Sequence, residues 1–296
     1  MESDLIMKII KNLSSFLISL IMMFILLMIQ ISFFVQNVLY KPDFYLTKFQ
    51  NMGLYDYIQT TIEKDNHKMA QVTNLPEDLF GGLITKDWIK GQFEKGTKQD
   101  IDYMLYKSNN LAEPDPKSQA DIFGKKLDTY ISSKNLKYDD SVKKELDKIK
   151  TDLYNVMKNE TTFIGMHNLN NYGFFQQFRH YSYLVYKYQT AFIIGLCVLI
   201  GLLLLLLRNK FKFFNWIAYT LIANGMLILI PSVTAYLSKF MDNINIEIAI
   251  TKLITASIIR DYISFFIKIG AVTFVLGILI LLISVKLENR NYEIKE

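Results

Sequence analysis

Four stretches of this chain are apolar for longer than any ordinary core helix needs. They cover residues 13–38, 190–207, 213–237 and 262–285. The first runs from Leu13 to Val35 without a charge, and at 1.5 Å per residue it outreaches a hydrocarbon core of about 30 Å. Hydrocarbon offers no partner to peptide groups, so each stretch is expected to be a helix. The second ends in six leucines, Leu202–Leu207. The third is interrupted by Asn224-Gly225 and by Pro231. The first lacks the small-residue cleavage pattern of a signal peptide and is expected to remain as an uncleaved anchor.

Between the first two apolar runs lies a polar stretch, residues 39–189, with helical spacing throughout. Leu54, Tyr55, Ile58 and Ile62 recur at steps that place them on one helix face. Asn74-Leu75-Pro76-Glu77-Asp78 reads as a helix start. Thr85-Lys86-Asp87-Trp88 opens another helix, with Ile89, Phe93, Ile101, Met104 and Leu105 on roughly one face. Gly91 and Gly96 within it weaken the helix by about 1 kcal/mol each relative to Ala and could admit a close neighbouring helix. After the loop at 109–118, Ile122, Phe123, Leu127, Tyr130 and Ile131 mark a third helix. Following a polar break at 132–138, Asp140-Ser141 is expected to cap a fourth, whose apolar face is Val142, Leu146, Ile149, Leu153 and Val156. No alternating strand pattern occurs in the stretch, so a domain of four or five helices with its own small core is expected.

Two further segments carry distinct patterns. Aromatic residues crowd the approach to the second apolar run: Phe163, Tyr172, Phe174, Phe175, Phe178, Tyr181, Tyr183, Tyr186 and Tyr188. Such rings suit the headgroup level of a bilayer, so Tyr172 to Tyr186 are expected to be interfacial. In the 238–261 connection, Ile244, Ile246, Ile248 and Ile250 alternate as in a strand. The apolar content continues through Leu253, Ile254, Ile258 and Ile259, and a helix leading into the fourth run is the reading preferred here.

Charge then gives the runs a direction. The chain is 51% hydrophobic yet 21% charged, with a mean hydropathy of +0.18, which fits membrane spans plus one polar domain. The formal charge is +5, and within 39–189 acids and bases are close to balance. The basic excess therefore lies at the ends of the runs: Lys8 and Lys11 in segment 1–12, Arg208, Lys210 and Lys212 in the 208–212 connection, and Lys286, Arg290 and Lys295 in segment 286–296. Basic flanks stay cytoplasmic, whereas long polar domains cross regardless of charge. Both termini are thus expected inside and the 39–189 domain outside. That distribution also argues against nucleic-acid binding, since the polar domain holds no basic run. The single cysteine, Cys197, lies in an apolar run, so no intrachain disulfide stabilises the domain. With a composition rich in Lys, Ile, Asn and Tyr, as AT-rich coding gives, this points to a bacterial plasma membrane.

Patterns that carry reaction chemistry are scarce in this chain. His67, His167 and His180 have no zinc-ligand spacing. Asp100-Ile101-Asp102 and Asp139-Asp140 lack the calcium-loop pattern. Phosphate-cradling glycine loops and a Gly-x-Ser-x-Gly elbow are absent. No catalytic residue, cofactor or metal is expected, and the chain is not expected to be an enzyme. Four intramembrane positions are candidate functional residues: Gln30, Asn224, Pro231 and Lys268. Lys268 lies about 9 Å inside the fourth run, where a charge must snorkel, pair or line a path.

The order of one span, a large outer domain and three more spans is similar to that of the permeases of mechanotransmitting ABC transporters. In those, the connection after the second span engages an ATPase; here it is only about Arg208–Lys212. A four-span outline also resembles claudins, whose outer-loop cysteine pair and Trp-Gly-Leu signature do not occur. The expectation is an all-α protein: a four-helix transmembrane bundle with an all-helical extracytoplasmic domain between its first and second spans. Beyond the lipid bilayer, a protein partner or a homo-oligomer is expected, with the domain acting as scaffold, sensor or accessory module. The alternatives are an oligomeric channel or transporter component with Lys268 on its path, and an ABC-type permease subunit.

Overall fold

The computed structural model describes residues 2–134, 139–162, 173–207, 209–238, 246 and 248–293. Among these residues the chain is all-helical, without a strand. It divides into two compact units. The polar unit comprises Lys41–Arg179 with Ile246–Ile254; the apolar unit comprises Met1–Tyr40, His180–Asn245 and Thr255–Glu296.

In the polar unit, α2 (Pro42–Asn51) begins with proline in its first turn, where a missing N–H costs nothing. Gly53, at φ 71°, turns the chain directly into α3 (Leu54–Thr73), and Asn74 ends α3 in the left-handed region at φ 54°. The segment after Asn74 makes only a short α4 (Glu77–Phe80), because Gly81-Gly82 stops it, with Gly82 at φ 65°. Helix α5 (Lys86–Met104) starts as its sequence indicates, with the Thr85 hydroxyl accepting from the Trp88 N–H at 3.2 Å. Helices α6 (Lys117–Ser133) and α7 (Asp140–Thr161) complete the unit before α8 (Gly173–Lys187).

In α6, Phe123, fully buried, faces the core with Leu127 and Ile131, while Ile122 is exposed. Two local expectations, both of α7, need correction. Its cap is Asp139, not Asp140: the Asp139 carboxylate accepts from the Val142 N–H at 2.9 Å. In α7 the deeply buried series is Ile149, Leu153 and Met157 at four-residue steps, and Val156 is half-buried. Adjacent apolar residues compete for one face, and spacing alone does not rank them. The glycines of α5 admit no helix: nothing approaches Gly91, and only the Ala112 side chain packs near Gly96. The core is shared by α3, which packs on α5 and α7, and by α6 on α7. Phe49, Leu54, Tyr55, Ile58, Ile62 and Ile89 are almost wholly buried in it.

In the apolar unit, four helices are long and apolar enough to cross a membrane. Helix α1 (Glu2–Phe34) begins well before the first apolar run and continues as a π-helical turn, Val35–Leu39. Helix α9 (Gln189–Leu206) and α10 (Lys210–Leu237) follow closely on the sequence runs. Helix α11 (Ala249–Glu293) has 45 residues, or about 68 Å at 1.5 Å per residue, far more than the 262–285 run. Of the 238–261 connection, residues 249–261 are helical, and 239–245 and 247 lie outside the described residues.

Contacts fix the helix directions. Gly195 of α9 meets Ile25, and Met22 packs with Leu203, Leu207 and Phe213. Helix α1 therefore runs antiparallel to α9 and beside the start of α10. Gly225 meets the Phe274 backbone, Gly277 meets Ile222, and the Ser284 hydroxyl donates to the Phe211 carbonyl at 3.2 Å, so α10 and α11 are antiparallel. At one end of the unit lie the start of α1, the 207–210 connection and the end of α11. At the other, Phe34 packs edge-on to Tyr262 at 5.0 Å, and Tyr40 and Ser182 share a 2.8 Å hydrogen bond. Large apolar side chains such as Leu205, 79% exposed, and Leu237, 70% exposed, cover the outside, as a surface facing hydrocarbon would require.

Candidate functional site

The intramembrane candidates divide into buried and exposed residues. Gln30 is 5% exposed and donates its amide to the Thr273 hydroxyl at 2.9 Å; Asn224 is 0% exposed and donates to the Met23 carbonyl at 3.1 Å. Each uses its N–H on a neighbouring helix and leaves its amide oxygen without a partner among the described residues. Pro231 is exposed, and α10 runs unbroken through it and through Asn224-Gly225. That the helix does not break at Gly225 has a packing cause. A β-carbon there would stand 2.6 Å from the Phe274 nitrogen, so only glycine lets the two backbones touch. Gly270 and Gly277 of α11 serve the same seam. Lys268 is exposed and has no ion-pair partner among the described residues.

The aromatic segment is unevenly exposed. Tyr172, like Phe163 and His167, lies outside the described residues. Phe174, Phe178 and Tyr181 are exposed, Phe175 is buried, and Tyr183 and Tyr186 are half-buried, with Tyr186 edge-on to Tyr40 at 5.6 Å. Between them sits a residue the pattern did not single out. Arg179, 8% exposed, lays its guanidinium 3.6 Å over the Tyr103 ring and 3.9 Å over the Tyr106 ring. Its Nε donates to the Tyr103 carbonyl at 2.9 Å. This places a cation at the C-terminal end of α5, where helix carbonyls concentrate negative potential. Tyr106 holds φ 58°, a conformation non-glycine residues rarely adopt. Only the basic residue within an aromatic run could have signalled the arrangement.

The polar unit contains a cleft of about 350 Å³ between α5, the loop at 105–116 and the end of α7. Asp100 is its chemical centre. One carboxylate oxygen accepts from the Ala112 N–H at 2.8 Å, and the neighbouring Gln99 amide donates to the Leu111 carbonyl at 3.1 Å, so the loop is tied down beside the acid. Phe49 and Phe93, themselves edge-on at 5.6 Å and buried, separate the cleft from the core. Burial pushes the Asp100 carboxyl up to about 6, against the Ala112 hydrogen bond, which lowers it. At the rim, Glu113 pairs with Lys158 at 3.1 Å. Nearby, burial and then the Glu94 charge push the Tyr55 hydroxyl up to about 12. The Asp100-Ile101-Asp102 spacing speaks only to a calcium loop; the partner of Asp100 is twelve residues away, at Ala112, which spacing does not reveal. Among the described residues no three His, Cys, Asp or Glu side chains are grouped to hold a metal.

These features define an all-helical protein with four helices able to cross a membrane. No family model, curated protein or solved structure matches the chain.

Proposed function

We propose that this is a non-enzymatic four-span protein of a bacterial plasma membrane, in which a four-helix transmembrane bundle anchors an extracytoplasmic helical domain that binds a partner. The supporting observation is the sorting of charge along the apolar unit. Lys8 and Lys11, Lys210 and Lys212, and Lys286 all belong to the end formed by the start of α1, the α9–α10 connection and the end of α11. Arg208 and Lys295 lie outside the described residues. The chain leaves this unit at Tyr40 and returns at His180, at the opposite end. Basic flanks held inside then put the polar unit outside. That unit has its own packed core, and its cleft presents a half-buried carboxylate beside the 105–116 loop, which suits recognition better than turnover.

A second reading, an oligomeric channel or transporter component, is favoured by one observation: Lys268 is exposed on α11, where a second copy could enclose it. It remains second because Lys268 is six residues from Tyr262, close enough to its end of the unit to snorkel. The topology is tested by placing a cysteine at exposed Asn109 in a Cys197→Ser background. A membrane-impermeant maleimide should label it in intact cells; labelling only after lysis would overturn the proposal.

A further inference from the structure

A half-buried carboxylate in a cleft is commonly held by a cation, and Asp100 has none. It accepts one backbone N–H, and no Lys, Arg or His of the described residues lies within ion-pair distance. The rim acid Glu113 is already taken by Lys158. Lys95 lines the cleft but is exposed and makes no contact with Asp100. Ala112 and Pro114, both half-buried, offer apolar surface to the same space, while Phe49 and Phe93 close it off from the core. The cleft, about 350 Å³, is at the small end of ligand-sized cavities, suited to a chain of a few methylenes rather than to a ring system.

We propose that this cleft captures a primary alkylammonium group of about lysine side-chain length, the ammonium against the Asp100 carboxylate and the methylene stem along Ala112 and Pro114. The inference deepens the binding role proposed for the polar unit and rests on it. The chemistry could be presented by a lysine of a partner polypeptide or by a free diamine, and the probes separate these sources.

The experiment is calorimetric titration of the purified full chain in non-ionic detergent at pH 7.5. The probes are Nα-acetyl-lysine methylamide, its Nε-acetylated form, cadaverine and the neutral 1,5-pentanediol. The lysine derivative should bind at least about tenfold more tightly than its Nε-acetylated form, as loss of a partly buried charge pair requires. Asp100→Asn should reduce that affinity by about tenfold or more, while its amide oxygen still accepts from Ala112 and preserves the fold. Lys95→Ala, which removes a like charge from the rim, should strengthen binding by about two- to fivefold. Cadaverine weaker than the lysine derivative assigns the site to a partner's lysine, and the reverse assigns it to a free diamine; either keeps the ammonium site. Equal binding of pentanediol and cadaverine, or an affinity unchanged in Asp100→Asn, would overturn it. Maleimide labelling only after lysis would refute the membrane topology and leave these affinities untouched, so the two failures are separable.

Discussion

The seam between α10 and α11 allows a prediction with opposite signs at two glycines. A β-carbon at Gly225 would lie 2.6 Å from the Phe274 nitrogen and 2.7 Å from its Cα and Cβ. Comfortable carbon contacts begin near about 3.5 Å, so Gly225→Ala must push the two helices apart by nearly 1 Å. Backbone cannot step aside as a side-chain tip can. Overpacking of this kind costs about 1–3 kcal/mol. The shift also loads the Gln30–Thr273 and Asn224–Met23 bonds, which involve residues adjacent to the contact and are worth about 0.6 kcal/mol each in a membrane. Alanine regains up to about 1 kcal/mol of helix propensity, leaving a net loss of about 1–3 kcal/mol. Gly201 of α9 has nothing within 4 Å of such a β-carbon, so Gly201→Ala should keep only the propensity gain. Melting followed by size-exclusion in detergent should show Gly225→Ala several degrees below the parent, at about 2–4 °C per kcal/mol, and Gly201→Ala level with it or above. Gly225→Ala at or above the parent, or equal shifts in both, would refute the close seam.

The remaining predictions concern the polar unit. Asp100 is raised from 3.8 to about 6 by burial, so it binds its proton more tightly folded than unfolded. Its stabilising contribution is full below about pH 4 and is lost as pH rises through about 6. A rise of this size is worth at most about 3 kcal/mol, and partial solvent access reduces that to about 1–2 kcal/mol. Asp100→Asn should therefore make the unit more stable at pH 7.5 and flatten this group's part of the pH dependence. Hydrogen exchange of α5 peptides at several pH values reads it; unchanged protection at pH 7.5 would contradict the assignment. Arg179→Lys should lower protection at the end of α5 by about 2–4 kcal/mol, because an ammonium cannot lie flat between the Tyr103 and Tyr106 rings while its ε-nitrogen bonds the Tyr103 carbonyl; protection equal to the parent would remove that role.

What the sequence made legible was periodic or local. Tyr55, Ile58 and Ile62 recur as the buried stripe of α3, and Thr85 caps α5, because both depend on neighbours within a few positions. Where two adjacent positions were chemically alike, spacing ranked them wrongly by one: Asp140 for Asp139, and Val156 for Met157. The isoleucine alternation at 244–250 fits a strand as well as a helix, and Ile250 adopts the helix preferred for it. The features richest in chemistry were hidden, because each joins distant residues. Asp100 is buried by Ala112, and Arg179 is seated by Tyr103 and Tyr106.

The polar residues of the apolar unit have a common use that bears on the choice between anchor and channel. Gln30, Asn224, Ser32 and Ser284 each donate across to another helix, at Thr273, Met23, Val185 and Phe211. Each bond fixes the axial register of a helix pair, which apolar packing against equally apolar lipid would specify poorly. Gly225, Gly270 and Gly277 then bring α10 and α11 together with no room between them at those levels. A path between α10 and α11 of a single copy would have to open this seam. These bonds and close contacts hold the helices in register, which supports the anchoring role proposed above over a path along that seam.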